Sequence, residues 1–123
     1  MTPADFGKLS GSEPVYLQIV RRVRAEAASG RLKKGDTLPS RRELAAALGI
    51  NPNTVQKAYR LLEDEGLLET AQSSHSVVTA GEAQVSALRS AEAGEAAREF
   101  SGRMKELGFE LDEAFEILKD KWN

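Results

Sequence analysis

Apolar residues before Gly66 recur at the spacing of three amphipathic helices. In each stretch they return every three or four residues, which places them on one face of an α-helix. The first stretch follows Pro14, a residue suited to the first turn of a helix, and Gly30 is placed to end it. The three apolar sets are Tyr16, Ile19, Val20, Val23 and Ala27; Leu44, Ala45 and Leu48; and Val55, Ala58, Tyr59 and Leu62.

The second and third helices carry start and stop signals that leave only a tight turn between them. Ser40 and Glu43 have the spacing of a capping box, and Gly49 is placed to end the short helix that follows. Asn51 is a strong N-cap residue, and Pro52 suits the first position of the next helix. Two short helices joined by a glycine-containing turn predict a helix-turn-helix.

Residues after Gly66 predict a β-hairpin. Two short strand candidates, residues 67–70 and 76–79, flank a polar turn, and the linker near Thr37 and Leu38 has room for one more strand. A hairpin directly after a helix-turn-helix is a wing. The predicted fold class is therefore mainly α with a small β-hairpin, consisting of an N-terminal winged helix-turn-helix and a short C-terminal two-helix segment.

The composition changes at Gly81, after which alanine and glutamate dominate. Residues 82–107 predict one helix that Gly94 and Gly102 weaken, and a final short helix follows Gly108. The predicted organisation is a flexible arm at residues 1–13, a DNA-binding domain at 14–80 and a dimerisation segment at 81–123. Two such helices must bury their apolar stripes on a second chain or, alternatively, in an intrachain core. The candidate interface residues are Phe100, Met104, Leu107, Leu111, Phe115, Leu118 and Trp122.

Charge divides unevenly along the 123 residues, whose formal net charge is −2. Residues 1–70 hold eleven Lys and Arg against nine Asp and Glu, whereas residues 71–123 hold six against ten. Contact with DNA needs local positive charge at the phosphates, so the N-terminal part is where the sequence predicts it.

Several classes of function are disfavoured by what the sequence lacks. The chain has no cysteine, which removes disulfides, thiolate catalysis and cysteine-based zinc sites, and it has one histidine and no glycine-rich phosphate loop. It also has no apolar stretch near the ~20 residues of a membrane span and no signal peptide at its N-terminus. We therefore expect a cytoplasmic protein that is not an enzyme and has no cofactor, metal or membrane partner. The sequence leaves open whether a small-molecule effector exists.

The polar face of the third helix is the candidate reader of DNA. In a helix-turn-helix the N-terminal half of the second helix of the motif enters the major groove. Asparagine and glutamine pair with adenine, threonine contacts phosphate or a thymine methyl, and lysine and arginine neutralise phosphates. The alternative is that these side chains are only the solvated polar face of an exposed helix and bind no DNA. The candidate DNA-binding residues are Arg41, Arg42, Asn53, Thr54, Gln56, Lys57 and Arg60, with His75 in the wing.

Two runs of residues around the helix-turn-helix form a recognisable pattern: Leu38-Pro39-Ser40-Arg41-Arg42-Glu43-Leu44-Ala45 and Leu48-Gly49-Ile50-Asn51-Pro52-Asn53-Thr54-Val55-Gln56-Lys57-Ala58-Tyr59. They closely resemble the GntR family of transcription regulators, and its YtrA subfamily in particular. The resemblance covers Pro14 to Thr79. It implies a winged helix, a dimer and an inverted-repeat operator, usually bound as a repressor, with Arg42, Asn53, Thr54 and Gln56 near the DNA.

The sequence departs from the family pattern at two places. Many relatives outside this subfamily carry arginine at the positions of Pro52 and Gln56, so their base preference does not transfer. The wing of this chain, residues 71–78, has no glycine, lysine or arginine, and glycine is what lets a wing tip adopt positive φ near the minor groove. Specificity is therefore expected to rest on residues 53–57. The alternative function is a winged helix that serves only protein–protein contact.

Overall fold

A computed structural model describes residues 1–70 and 75–123 of the chain. These residues form two compact units, residues 1–89 and residues 90–123, which are described separately. The first unit contains helices α1 (Val15–Ala28), α2 (Arg41–Leu48) and α3 (Pro52–Asp64) and strands β1 (Thr37–Leu38), β2 (Leu68–Thr70) and β3 (Ser76–Val78). Helix α4 (Glu82–Glu106) begins in the first unit and ends in the second, which also contains α5 (Leu111–Lys121).

The core of the first unit is built from the predicted helical stripes. The predicted apolar residues of α3 are all buried, as are those of α1 except Tyr16, which is half-buried. At the turn of the helix-turn-helix, Gly49 adopts a φ of 67°, a left-handed conformation that costs a glycine little. Burial of these apolar side chains is the main source of stability, and it holds α1 and α2 against α3.

The sheet has three strands in the order β1-β3-β2, and both pairings are antiparallel. The predicted hairpin is confirmed, with Leu68 opposite Val78 and Thr70 opposite Ser76. The strand near Thr37 joins it by pairing with β3 rather than with its own sequence neighbours. The wing is thereby tied to the linker between α1 and α2.

The N-terminal residues differ from the flexible arm that their polar composition predicts. Residues Pro3–Phe6 form a 3-10 helix, and the Phe6 side chain is buried in the core. The terminal ammonium of Met1 donates to the Thr37 carbonyl at 2.8 Å, and the Arg22 Nε donates to the Asp5 carbonyl at 2.8 Å. One aromatic side chain explains the difference, since burying it offsets much of the entropy lost by ordering the segment.

The second unit leaves its apolar residues largely exposed. Helix α4 continues through Gly94 and Gly102, and Gly108 turns the chain toward α5 with a φ of 84°. The Glu110 backbone N–H donates to the Glu113 carboxylate at 3.0 Å, which caps α5. Of the predicted interface residues, Phe100 and Met104 are half-buried and the other five are exposed, Leu111 by 83% and Trp122 by 79%. Within the described residues of this unit only Ala114 is buried.

Candidate nucleic-acid interface

The N-terminus of α3 is fixed by the residue that precedes the helix. The Asn51 Oδ1 atom accepts a hydrogen bond from the Asn53 backbone N–H at 2.8 Å, and the Thr54 N–H donates to the Asn51 carbonyl at 3.0 Å. Pro52 occupies the first position, where its missing N–H costs nothing. The first turn of α3, which carries the predicted base-reading residues, is therefore well ordered and directed outward.

Four polar residues share the outer face of α3. Asn53, Gln56, Lys57 and Arg60 have the i, i+3, i+4, i+7 spacing, and all are exposed except Gln56, which is half-buried. Thr54 lies beside them and is also half-buried. In the part of the chain that the structure describes, no hydrogen bond or ion pair engages the side chains of Asn53, Gln56 or Arg60. Their amide and guanidinium groups are free to bind an external partner.

Lys57 has a contact that sequence patterns did not indicate. Its Nζ atom lies over the ring of Tyr16 on α1, 3.9 Å from the ring centroid. A cation at this distance from an aromatic face gains about 0.5–1 kcal/mol at an exposed site. Because the two residues lie on different helices far apart in sequence, only the packing of α1 against α3 brings them together. The contact directs Lys57 toward α1 and so sets where its charge lies.

Arg41 and Arg42, adjacent at the start of α2, point in different directions. Arg42 is exposed, and no ion pair holds it among the described residues. The Arg41 guanidinium turns toward the wing: its Nη2 atom lies 3.3 Å from the Thr70 hydroxyl and 3.5 Å from a Glu63 carboxylate oxygen. The helical period shows the reason, since Arg41 shares the face of the buried residues Leu44 and Ala45.

The polar cluster around Arg41 joins the wing to the helix-turn-helix. The Thr70 hydroxyl donates to the Glu63 carboxylate at 2.6 Å, and the buried Ser76 hydroxyl lies 3.5 Å from that of Thr70. The buried Arg41 Nε has no hydrogen-bond partner among the described residues. The cluster connects α2, α3 and both strands of the hairpin.

Exchanging the charges of Arg41 and Glu63 tests this pairing. We expect Arg41→Glu to lower the free energy of unfolding by about 1–2 kcal/mol, because it places a second carboxylate beside Glu63. Glu63→Arg in the same chain should recover part of that loss, with a coupling of about 0.5–1 kcal/mol for a partly exposed pair.

Urea unfolding of the parent chain, of each single variant and of the double variant measures this coupling. Arg42→Glu is the matched control, and it should change stability by about 0.5 kcal/mol or less because Arg42 is exposed and has no ion pair within residues 1–70 and 75–123. A coupling of zero between positions 41 and 63 would contradict the arrangement.

A buried hydrogen bond fixes the relative position of the two helices of the motif. The Tyr59 hydroxyl on α3 donates to the carbonyl of Pro39, just before α2, at 2.7 Å. Burial raises the pKa of the Tyr59 phenol above its usual range, so the group stays a proton donor. The bond also satisfies the Pro39 carbonyl, which would otherwise be costly to bury.

The remaining predicted site residue is His75, which is exposed and immediately precedes β3. The rest of the predicted wing turn, residues 71–74, lies outside the described residues. Over residues 1–70 and 75–123, no three His, Cys, Asp or Glu side chains are grouped as metal ligands. In those same ranges no helix is long and apolar enough to span a membrane.

The sequence profile described as "Bacterial regulatory proteins, gntR family" matches residues 15–78. The HTH-type transcriptional repressor YtrA of Bacillus subtilis is 51% identical over 59 residues, which are 48% of this chain and 45% of YtrA. The uncharacterized HTH-type transcriptional regulator YhcF of the same organism is 33% identical over 112 residues, which cover 91% of this chain and 93% of YhcF. The chain thus spans less than half of YtrA but nearly all of YhcF.

Solved structures show the same architecture. A GntR family transcriptional regulator from Listeria monocytogenes superposes with a TM-score of 0.82 at 30% identity, covering 91% of this chain and 98% of that chain. The DNA-binding domain of AraR in complex with operator ORX1 superposes with a TM-score of 0.51 at 27% identity, covering 59% of this chain and 89% of that chain. The first likeness covers nearly all of the chain, whereas the second covers little more than half of it.

Proposed function

Since the chain belongs to the GntR family of bacterial regulatory proteins, we propose that it acts as a dimeric repressor that reads an inverted-repeat operator with helix α3. As a member of this family it is a DNA-binding transcription regulator, and its relatives are regulators rather than enzymes. The repressor activity, the dimer and the form of the operator are the proposed part.

The observation that carries the proposal is the polar face at the capped start of α3, where no hydrogen bond or ion pair among the described residues engages the side chains of Asn53, Gln56 or Arg60. Asn53 and Gln56 present amide groups that match the paired donor and acceptor of adenine in the major groove. Arg60, one turn further along, supplies charge for a phosphate. We propose that Arg42 adds a phosphate contact from α2, whereas Arg41 positions the wing from within.

The dimer is supported by the apolar side of α5. Leu111, Phe115, Leu118 and Trp122 recur at steps of four, three and four, and exposed apolar residues in such a row mark an interaction surface. A second copy of the chain carries the same row, so a two-fold axis would pack the row of one protomer against the same row of its partner. A symmetric dimer in turn calls for an operator with two half-sites in inverted order.

Relatives supply the support for repression. YtrA is a repressor by its name, and the AraR domain is held on an operator. We propose that this chain likewise represses transcription by occupying its operator, in the cytoplasm where bacterial DNA lies. The wing, whose sequence lacks glycine and basic residues at residues 71–78, contributes little of the specificity.

Footprinting on the DNA upstream of its own gene tests the proposal at base resolution. We expect two protected half-sites centred about 10 base pairs, or a multiple of that, apart. The affinity should fall steeply with salt, and Arg42→Ala should lower the slope of log K against log salt by about 2, because each protomer loses one phosphate contact. Arg41→Ala should leave that slope unchanged.

The alternative, a winged helix that serves only protein–protein contact, predicts the opposite result. Weak DNA binding whose affinity depends on neither the DNA sequence nor the salt concentration would favour that alternative and would contradict the proposal of a specific operator. A reporter fused to the footprinted promoter separates repression from activation, since deletion of the gene should raise expression of the reporter. A fall in expression would reject the repressor assignment.

A further inference from the structure

We propose that a cavity at the start of α4 binds a small organic anion with an apolar body and that its occupancy changes the affinity for the operator. The cavity has a volume of about 570 Å³ and lies wholly within the first unit. Its walls are the C-terminal end of α1, the connection from α1 to β1, and the first two turns of α4. Volumes of roughly 300–1,000 Å³ are typical of small-molecule sites.

The floor of the cavity is apolar. Ala27, Leu32 and Ala80 line it and are each no more than 3% exposed, and half-buried Val85 adds the wall formed by α4. These side chains belong to the core of the first unit or pack against it, so the floor is held by the same burial that stabilises the fold. An apolar ligand body gains free energy by removing this surface from water.

The rim of the cavity is cationic. Lys33 and Lys34 approach it from the α1–β1 connection and Arg89 from α4, and all three are exposed. No ion pair engages these three side chains in the described part of the chain, and Glu82 is the one acidic residue among the lining residues. Three cations against one carboxylate favour a carboxylate or phosphate group on the ligand.

Uncharged polar ligands find few partners in the same cavity. Its hydroxyl groups are those of Ser29 and Ser86, and the Ser29 hydroxyl already donates to the Glu26 carbonyl at 3.1 Å. A sugar or other polyol would leave most of its hydroxyl groups without hydrogen bonds, which is costly in a site with an apolar floor. The chemistry therefore fits an aliphatic or aromatic acid.

The position of the cavity links binding to α4. Val85, Ser86 and Arg89 lie on one face of α4, so an occupant bridges that helix to the end of α1. Gln84 makes two hydrogen bonds at this point: its Nε2 donates to the Gly66 carbonyl at 3.4 Å, and its Oε1 accepts from the Gly81 N–H at 3.1 Å. Because α4 belongs to the proposed dimerisation segment, the coupling to the operator rests on the proposed function, whereas binding itself does not.

Calorimetric titration of the full chain with decanoate tests the site directly. We expect saturable binding, weaker by about fivefold or more for the Lys33→Gln/Lys34→Gln chain, since each exposed charge pair contributes modestly. Decanol, which lacks the charge, should bind at least fivefold more weakly than decanoate. Decyl phosphate should also bind saturably, and the tighter of the two anions identifies the head group as carboxylate or phosphate.

A matched pair of variants localises the binding. Ser86→Trp should abolish it because the indole would block the space between α4 and the apolar floor, whereas Ala87→Trp, at an exposed neighbour outside the lining, should leave it unchanged. Absence of saturable binding, or equal binding to the two variants, would overturn the site. A Ser86→Trp chain with an altered oligomeric state would also overturn it, because the cavity would then belong to the contact with a second copy.

Gel shift with and without saturating decanoate tests the coupling. We expect the operator affinity of the parent chain and of Ala87→Trp to change by at least fivefold and that of Ser86→Trp to stay constant. An unchanged affinity in the parent chain would refute the coupling. If the proposed function itself is wrong, the result differs: the chain forms no specific complex with the operator even when decanoate is absent.

Discussion

Replacing Leu118 and Trp122 with aspartate is expected to make the chain monomeric and to lower its affinity for the operator by at least about a hundredfold. Both side chains are exposed, Leu118 on α5 and Trp122, directly after it, by 79%, so the substitutions remove apolar surface from the proposed interface without opening a cavity in the core. The loss of affinity follows from valency. Two linked DNA-binding domains bind their half-sites at an effective concentration near the millimolar range, and a monomer loses that gain of ~10²–10⁴.

Sedimentation velocity and gel shift on the same samples measure the two effects together. Asp120→Asn is the control on the opposite side of α5, and it should leave both the dimer and the operator complex intact. The free energy of unfolding of the first unit should be unchanged in both chains. A parent chain that is monomeric at micromolar concentration, or a variant that still dimerises, would contradict the assignment of this face.

Gln56→Ala is expected to lower operator affinity by about tenfold or more while leaving the binding to unrelated DNA nearly constant. A paired hydrogen bond to a base contributes about 1–3 kcal/mol of discrimination, and in a dimer the substitution removes two such contacts. The side chain is half-buried and makes no hydrogen bond within the described residues, so its loss should cost the fold little. The effect is a loss of specificity rather than of general attraction to DNA.

Arg60→Ala provides the contrast on the same helix face. It should weaken specific and non-specific binding alike and reduce the salt slope by about 2, as expected for one phosphate contact per protomer. Gel shifts on the operator and on a scrambled duplex at several salt concentrations distinguish the two patterns. Equal losses on both duplexes for Gln56→Ala would show that this residue contacts the backbone and does not read a base.

The candidate site follows from the sequence wherever local rules decide it. The cap at Asn51, the helix start at Pro52 and the buried stripe of α3 determine which of its residues face outward, and all three are local features. For Arg41, the helical spacing also indicates the orientation of the side chain. Its position three residues before Leu44 places it on the buried face of α2, although its type and its neighbour Arg42 suggested an exposed residue.

Contacts between distant segments could not be obtained in this way. The pairing of β1 with β3 depends on how the linker passes the hairpin, and two or three residues carry too little pattern to define a partner. The order of the N-terminal segment depends on a pocket for Phe6 that exists only once the core has formed. The Lys57–Tyr16 contact and the Arg41–Glu63 pair likewise join elements far apart in the chain.

The amino-acid sequence by itself determined the helices, the hairpin and the outward face of α3, because caps, turns and apolar periodicity act over a few residues. Tertiary structure alone decided that Arg41 pairs with Glu63, that the first residues join the core, and that a cationic rim surrounds an apolar cavity at the start of α4. The physical reason is the same in each case. These features depend on distances between side chains remote in sequence, which chain packing sets and no local pattern encodes.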